Sequence, residues 1–412
     1  MSLQWKKVQS VVLLEDDAEV FNIEVEDNPN YFANNIVVHN CFADFARASL
    51  YSSFFDNTKG MGMRVCSPDY FKSELDALFK HRGSKKENLQ DVAKAISMEM
   101  PIRLGIRFED FVRPVEKKHG IALTLLNYLA DNEYPVMVNT KSDLVGDDEY
   151  VKAFARNKAG AAVHVTMISS DEAFLKELEP GAPKFKERIQ GCKNLSDGGI
   201  RVVARIEPFM VFFNDDKVMT DDYIEQILAA GIRHMTFDSY SYSAASTGVK
   251  NSFARFGYDF ERMYYMMSQC QWLGSLLLGK YMDYFRAAGI ECSTFDAGNV
   301  PCNDDDICCS VSDLFGRGKF CNGNTTAAIR FIVGRGECKT TWSDFENYVQ
   351  ENNGFLSVAF KDEVRHLWNI SGEAFSIDHA AGLVCVGNDC DGLIWSYYKD
   401  NDFREEMLKR II

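Results

Sequence analysis

From about residue 101 onward, short apolar segments alternate with longer amphipathic ones. The apolar segments cover residues 102–108, 135–139, 162–168, 200–206 and 232–237. Helical patterns, with apolar residues three or four positions apart, cover residues 115–131, 148–158, 183–196 and 219–230. Strands and helices in this alternation predict repeated βα units and therefore a parallel barrel or sheet. In such folds the functional groups lie at the carboxyl ends of the strands.

The first 40 residues have a different pattern. Apolar and polar residues alternate in two segments, which begin near Val20 and Tyr31. This alternation predicts two strands of a small all-β unit. Residues 1–40 contain Lys6 and Lys7 against seven Asp and Glu residues, so the segment is net negative by about five charges.

The second of these segments ends in His39-Asn40-Cys41. Residues 4–41 resemble the C-terminal half of an intein (a Hint domain) joined to the first residue of its C-extein. The resemblance implies that Asn40 attacks its own main-chain carbonyl, forms a succinimide and breaks the bond to Cys41, which His39 polarises. Cys41 is then the nucleophile that takes over the upstream segment as a thioester.

Three positions depart from the common intein pattern. Asn22, Pro29 and Asn35 stand where such segments frequently carry Asp, His and Gly. The loss of an acid and of an imidazole predicts slow or partner-dependent splicing. Because an N-terminal intein half does not precede this segment, we expect splicing in trans with a separate half, which would be basic where the two meet. A truncated gene model with a contiguous intein is the alternative.

Polar phrases lie at or near the ends of the predicted strands of the longer region. They are Arg107-Phe108-Glu109-Asp110 with Pro114-Val115-Glu116, Asn139-Thr140-Lys141-Ser142, Leu178-Glu179-Pro180-Gly181 with Arg188, and Gly199-Ile200 leading to Glu207-Pro208. Together they resemble the radical S-adenosylmethionine (SAM) enzymes of the DNA repair photolyase and spore photoproduct lyase type, over residues 41–240. The resemblance implies an α/β fold, a partial (β/α)6 TIM-like barrel that lacks its first strand.

The same resemblance implies two cofactors. A CxxxCxxC loop of the family holds a [4Fe-4S] cluster whose fourth iron stays open to SAM. Cys41 corresponds to the last cysteine of that loop, so the other two must arrive with the N-extein. Lys141 matches the lysine that meets the SAM carboxylate, and Thr166 falls near a hydroxyl position.

Other cofactor-binding candidates are Ser142, Glu179 and Arg188. A structural ion pair that fixes a βα loop is the alternative for the last two. A surface lysine and an ordinary strand threonine are the alternatives for Lys141 and Thr166, since single-residue matches have a high false-positive rate.

Composition narrows the class of protein. Twelve cysteines without a secretory signal indicate a reducing compartment, and there is no long apolar run, so we expect a soluble cytoplasmic protein without a membrane partner. The net charge of −15 argues against a broad phosphate-binding surface.

We expect three domains. These are the intein half at 1–40, the radical SAM barrel at 41–290 with an insertion at about 57–100, and a cysteine-containing extension at 291–412. The cysteines at 292, 302, 308, 309, 321 and 338 predict either an auxiliary metal site or ordinary buried thiols.

The combined expectation is a splicing precursor whose C-extein becomes a radical SAM lyase. The chain alone should be silent in radical chemistry, because it carries one of three cluster cysteines. A radical enzyme that acts on a protein or small molecule instead of DNA is the alternative that the acidic charge favours. A binding protein with a decayed intein is a further alternative, which the intact His39-Asn40-Cys41 argues against.

Overall fold

The computed structural model describes most of the region from 61 to 352 and short stretches on either side. The described residues are 20–22, 30–33, 36–39, 61–63, 68–80, 90–105, 109–179, 181–210, 213–240, 247–261, 263–264, 271–294, 303–305, 307–316, 327–328, 331–332, 340–352, 354, 356, 361, 364–365, 368, 374–375, 377–378, 383–389 and 392–397.

Four short strands are described near the N-terminus. Strand β1 (Val20–Asn22) pairs antiparallel with β4 (Met61–Met63), and β2 (Asn30–Ala33) pairs antiparallel with β3 (Ile36–His39). In the second pair Asn30 lies opposite His39 and Ala33 lies opposite Ile36, so two residues connect the strands as in a hairpin. The predicted splicing residues Asn40 and Cys41 lie outside the described residues, and only the backbone of His39 is described.

A six-stranded sheet forms the centre of the molecule. Its strands are β5 (Ile102–Leu104), β6 (Val136–Thr140), β7 (Ala161–Thr166), β8 (Arg201–Phe209), β9 (His234–Ser239) and β10 (Glu291–Thr294). The order in the sheet is β10-β9-β8-β7-β6-β5, and every neighbouring pair is parallel. The predicted α/β class with a parallel sheet is confirmed.

Helices connect the strands. They are Arg113–His119, Ile121–Asp131, Asp148–Arg156, Glu172–Leu178, Phe185–Asp197, Asp215–Val218, Asp221–Ala229, Thr247–Arg255 and Gln271–Ala287. Pro68–Lys80 and Gln90–Ser97 precede the sheet, and the ring of Phe79 lies 6.3 Å from that of Tyr128 and stacks on it. No helix in the described part of the chain is both long enough and apolar enough to span a membrane.

Further elements follow β10. They are the helices Ser312–Phe315 and Trp342–Glu351, the paired strands β11 (Thr340–Thr341) and β12 (Ala374–Phe375), and an antiparallel sheet of β13 (Ile377–Asp378), β14 (Leu383–Asp389) and β15 (Gly392–Tyr397).

Two elements differ from the sequence-based prediction. A single helix over 115–131 is wrong, because Gly120 adopts φ 61° and separates two helices. Only glycine takes this left-handed conformation without a steric cost. Strand β10 is absent from the sequence-based prediction. It begins at residue 291, directly after the predicted end of the barrel domain, and it pairs with β9 over four residues.

The two faces of the sheet have different chemistry, since side chains alternate across a strand. The outer face is apolar and packs against the helices through residues such as Val138, Val163, Ala204 and Phe237. The opposite, inner face carries polar residues between small apolar ones. It presents Arg103, Asn139, His164, Arg205 and Thr236.

Residues 303–316, except 306, cover part of this inner face, and we call them the inner segment. An apolar cluster joins it to the sheet: Met137, Ala162, Val203, Cys309, Val311 and Phe315. The segment is anchored to β8 by an ion pair in which Nη2 of Arg201 lies 2.6 Å from Oδ2 of Asp313. It is anchored to β10 because the Asn303 amide both accepts from the Thr294 N–H and donates to its carbonyl.

Candidate functional site

The carboxyl end of β6 is held by the carboxylate of Glu109. Its Oε1 accepts hydrogen bonds from the Thr140 hydroxyl at 2.6 Å and from the Phe111 N–H at 3.0 Å, and its Oε2 accepts from the Lys141 N–H at 2.7 Å. Burial raises the pKa of Glu109, and these hydrogen bonds oppose the shift. Glu109 therefore fixes the backbone from which the Lys141 side chain leaves the sheet.

The predicted residues Lys141, Glu179 and Arg188 come together in one ionic cluster. Nζ of Lys141 lies 2.8 Å from Oε1 of Glu179, and Nη2 of Arg188 lies 2.7 Å from Oε2 of the same carboxylate. The side chains of Glu179 and Arg188 are each 1% exposed, whereas that of Lys141 is 24% exposed. Although burial alone would raise the pKa of Glu179, the two cations lower it to about 2.

Arg188 also joins the cluster to the sheet. Its Nη1 donates to the Thr166 carbonyl at the end of β7, and its Nε donates to the Pro183 carbonyl, both at 2.9 Å. All of these contacts are internal to the protein. They match the alternative that Glu179 and Arg188 form a structural pair, and they leave Lys141 as the member of the cluster that reaches solvent.

Thr166 belongs to a row of polar residues across the inner face. The strand register places Thr166 beside Arg205, Arg205 beside Thr236, and Thr236 beside Ser293. The carboxylate of Glu207 forms a close ion pair with Arg205 and accepts from the Thr236 hydroxyl at 3.0 Å. Burial, together with the nearby Arg103, lowers the pKa of Arg205 to about 10, so it stays charged at neutral pH.

Asn139 and His164 form a second polar pair, directly beside each other on β6 and β7. They are 4% and 2% exposed, and neither Oδ1 of Asn139 nor Nε2 of His164 has a hydrogen-bond partner in the described part of the chain. Burial, and then the charges of Arg205 and Arg103, hold the pKa of His164 well below its usual range, so the imidazole is neutral. Two buried polar atoms without partners fit the binding of a polar ligand on the inner face of the sheet.

Only a weak signal for this pair is present in the amino-acid sequence. Both residues lie within strands that otherwise read as continuous apolar runs, the pattern of a buried parallel strand. His164 is buried within its strand. A polar residue in such a run, one position before the strand end, is the signal that would have found Asn139.

Ser142 has a local structural role. Its hydroxyl accepts from the Leu144 N–H at 3.2 Å and so caps a single 3-10 turn, Asp143–Gly146. Its own N–H donates to the Thr140 hydroxyl at 2.9 Å. The hydroxyl therefore supports the loop that carries Lys141.

Metal ligands are a separate question from these polar groups. The side chains of four cysteines are described, Cys192, Cys292, Cys308 and Cys309, and all four are free thiols. Among the described residues there is no group of three or more His, Cys, Asp or Glu that could hold a metal ion. The predicted cluster ligand Cys41, and the cysteines at 302, 321 and 338, lie outside those residues.

Comparison with known proteins gives partial similarities. No family model matches the chain. Uncharacterized protein MJ0683 of Methanocaldococcus jannaschii is 26% identical over 183 residues, which covers 42% of this chain and 68% of that protein.

Solved structures with some similarity are radical SAM proteins. Spore photoproduct lyase complexed with dinucleoside spore photoproduct matches with a TM-score of 0.37 and 12% identity over 52% of this chain and 57% of that chain. A variant of the lyase with bound AdoMet and the same dinucleoside gives 0.36 and 12% over 50% and 56%. SuiB of Streptococcus suis bound to S-adenosylmethionine gives 0.27 and 11% over 57% and 68%. The chain spans little more than half the length of these lyase structures.

Proposed function

We propose that this chain is part of a radical SAM enzyme, preceded by an intein C-terminal segment that joins it to an upstream segment by splicing. The observation that carries the enzyme proposal is the polar inner face of the parallel sheet. There, Lys141 stands at a strand end in the 2.8 Å ion pair with Glu179. The motif phrases at or near the strand ends are the second support.

The inner face fits a ligand with the charges and hydrogen-bonding groups of SAM. Lys141 offers an ammonium to a carboxylate, and the Thr166 hydroxyl lies on the neighbouring strand. Oδ1 of Asn139 is an acceptor for an amine, and Nε2 of the neutral His164 is one where its tautomer leaves that nitrogen unprotonated. When bound beside a reduced cluster, SAM supplies a carbon-centred radical by one-electron cleavage of its sulfonium.

The protein's own contribution is orientation and a fixed field. Glu179 restrains the Lys141 ammonium, and Arg188 compensates the remaining charge of that carboxylate. Groups that are positioned before the ligand arrives need no reorganisation when it binds. The [4Fe-4S] cluster would be held by Cys41 together with two cysteines of the upstream segment.

The substrate class follows from charge. DNA is the first candidate substrate, because of the resemblance to DNA repair enzymes. A net charge of −15 is unfavourable for the clustered phosphate contacts that DNA binding requires, so a protein or a small molecule is the second candidate. Filter binding of labelled duplex DNA at low and moderate salt would separate the two, since a DNA enzyme gives salt-sensitive retention.

Splicing is tested by tandem mass spectrometry of the source cells. The proposal expects a tryptic peptide in which an upstream, cysteine-containing sequence continues directly into Cys41-Phe42-Ala43-Asp44-Phe45-Ala46-Arg47. Recovery of only those peptides that cross Asn40 into Cys41 would contradict it. In a heterologous host, Asn40→Ala is the matched variant that should retain the unspliced junction.

The enzyme proposal is tested on the spliced protein after anaerobic reconstitution with iron and sulfide. We expect SAM-dependent formation of 5′-deoxyadenosine, and we expect none from the unspliced chain. Lys141→Met should raise the KM for SAM by at least about tenfold, the effect of losing one charge-assisted contact. Lys152→Met, whose side chain is 81% exposed, is the control. Equal KM values for the two variants would exclude the role given to Lys141.

A further inference from the structure

Two adjacent cysteines of the inner segment, Cys308 and Cys309, lie against the inner face of the sheet. The Sγ atoms of Cys308 and Cys309 are 3.6 Å apart, within hydrogen-bond distance for two sulfur atoms. Cys309 packs among residues of the inner face, whereas Cys308 is partly exposed. Cys309 keeps 9% of its surface exposed, and the neighbouring Cys308 is more open to solvent.

A cation lies against the thiol of Cys309. Nη2 of Arg103, on β5, lies 2.5 Å from Sγ of Cys309 although the two residues are 206 positions apart in the chain. Two further arginines of the inner face, Arg205 and Arg201, have the carboxylates of Glu207 and Asp313 as their ion-pair partners. Arg103 makes no ion pair with a carboxylate of the described residues, so the sulfur is the group that compensates its charge.

The electrostatics of the pair agree with this geometry. The hydrogen bond from the Cys308 thiol and the guanidinium of Arg103 lower the pKa of Cys309 to about 6, against the effect of burial. The same hydrogen bond raises the pKa of Cys308. Burial raises the pKa of the other two described thiols, Cys192 and Cys292.

We propose that Cys308 and Cys309 form a redox-active vicinal dithiol, in which Cys309 is the attacking thiolate and low-molecular-weight aliphatic disulfides are the co-reactants. The Cys309 thiolate attacks one sulfur of the disulfide RSSR, forms a mixed disulfide and releases RS⁻. RS⁻ takes the proton of the Cys308 thiol. The resulting Cys308 thiolate attacks Sγ of Cys309 and expels the second RS⁻, which is protonated by water. Counting the proton that Cys309 releases to water when it ionises, the protein loses two protons and two electrons, and RSSR becomes two RSH.

The product should be easy to reduce. Adjacent residues have Cα atoms about 3.8 Å apart across a trans peptide, closer than the usual disulfide range. Strained disulfides are the labile ones. The proposed disulfide is therefore reversible. It forms in the inner segment, and its formation requires neither the cluster nor SAM.

A peptide assay tests this directly on the full chain. Cleavage before aspartate releases residues 306–312, which contain Cys308 and Cys309 and no other cysteine. The reduced chain is incubated under nitrogen at pH 7 with 2-hydroxyethyl disulfide, quenched in acid, unfolded and labelled with N-ethylmaleimide. We expect this peptide to lose two hydrogens and take no label, and dithiothreitol to restore both labelling sites.

The buried thiols Cys192 and Cys292 are controls within the same sample. The 306–312 peptide should react at least about tenfold faster than theirs, because its thiolate fraction at pH 7 is much larger. If the 306–312 peptide keeps two labels, or reacts no faster than the peptides of Cys192 and Cys292, the proposal is wrong.

Three variants assign the roles. Cys308→Ser should stop at a mixed disulfide on Cys309, and Cys309→Ser should react much more slowly. Arg103→Met should slow the wild-type reaction by about tenfold, since it removes the charge that stabilises the thiolate. Arg156→Met, half exposed on the surface, is the matched control and should not change the rate. Equal rates in Cys308→Ser and Cys309→Ser would contradict the assignment of Cys309 as the attacking thiolate.

Discussion

Glu179 and Arg188 form an ion pair that is sealed from solvent, with Oε2 and Nη2 2.7 Å apart. Arg188 also donates a hydrogen bond to the carbonyl of Thr166, the last residue of β7, and Glu179 also forms an ion pair with the ammonium of Lys141. The pair therefore couples two neighbouring strand ends through one carboxylate. A buried charge of this kind is tolerated only while its partner is present.

Replacement of the carboxylate should be strongly destabilising. Glu179→Gln leaves the Arg188 guanidinium buried without a counter-charge, and we expect the free energy of unfolding to fall by about 3–5 kcal/mol. Urea denaturation followed by circular dichroism measures this. Asp197→Asn breaks an exposed ion pair with Lys193 and should change stability by about 0.5 kcal/mol or less. Similar losses in Glu179→Gln and Asp197→Asn would show that the buried ion pair contributes no more to the free energy of unfolding than the exposed one.

The same carboxylate predicts a pH dependence. Its pKa is about 2 in the folded chain, against an ordinary value of 4.5, so the unfolded chain binds the proton first as pH falls. The stabilisation, on the order of 3 kcal/mol, is present above about pH 4.5 and is lost as pH falls toward 2. The stability difference between wild type and Glu179→Gln should therefore narrow between pH 5 and pH 3. A constant difference over that range would contradict the low pKa.

Local patterns in the sequence predicted the parallel sheet well but missed one strand. The strands β6 to β9 contain apolar runs with clear ends, which is the pattern of buried parallel strands. In β10, Glu291, Ser293 and Thr294 are polar and only Cys292 is apolar, so the strand lacks that pattern. Its place in the sheet is fixed by pairing with β9, which lies more than 50 residues earlier.

The candidate site was predictable only in part, for a similar reason. Lys141 stands directly after an apolar segment, and its strand-end position identifies it. Glu179 follows the helix Glu172–Leu178, so only the resemblance of its phrase points to it. The contact of Arg103 with Cys309 joins residues 206 positions apart, so no local pattern contains it. Their meeting depends on how the inner segment folds back over the sheet.

Gly105 is expected to tolerate no side chain. It follows β5 with φ +74°, and a Cβ atom there would lie 1.9 Å from the carbonyl oxygen of Asn139 on the neighbouring strand. Gly120 has a similar φ of +61° with no atom within 4 Å of a Cβ, so Gly120→Ala carries the backbone strain alone, about 1–2 kcal/mol. Gly105→Ala should lower the midpoint of urea unfolding clearly further. Equal losses of stability in Gly105→Ala and Gly120→Ala would mean that β5 and β6 move apart near Gly105 without an energetic cost.

The carboxylate of Glu116 replaces the missing hydrogen bonds at the start of the helix Ile121–Asp131. It accepts from the N–H groups of Ala122 at 3.0 Å and Leu123 at 2.8 Å, and from the Tyr150 hydroxyl at 3.0 Å. Glu116→Ala leaves three donors without an acceptor, and we expect a loss of about 2–4 kcal/mol in urea unfolding.

Tyr150→Phe separates the helix cap from the hydroxyl contact. It removes one donor while keeping the ring in place, so it should cost about 1 kcal/mol or less, and the double variant should lose less than the sum of the two. Glu149→Ala, on the exposed face of the next helix, is the control. Strict additivity of Glu116→Ala and Tyr150→Phe, or a loss in Glu116→Ala no larger than in Glu149→Ala, would show that the helix start is held by some other contact.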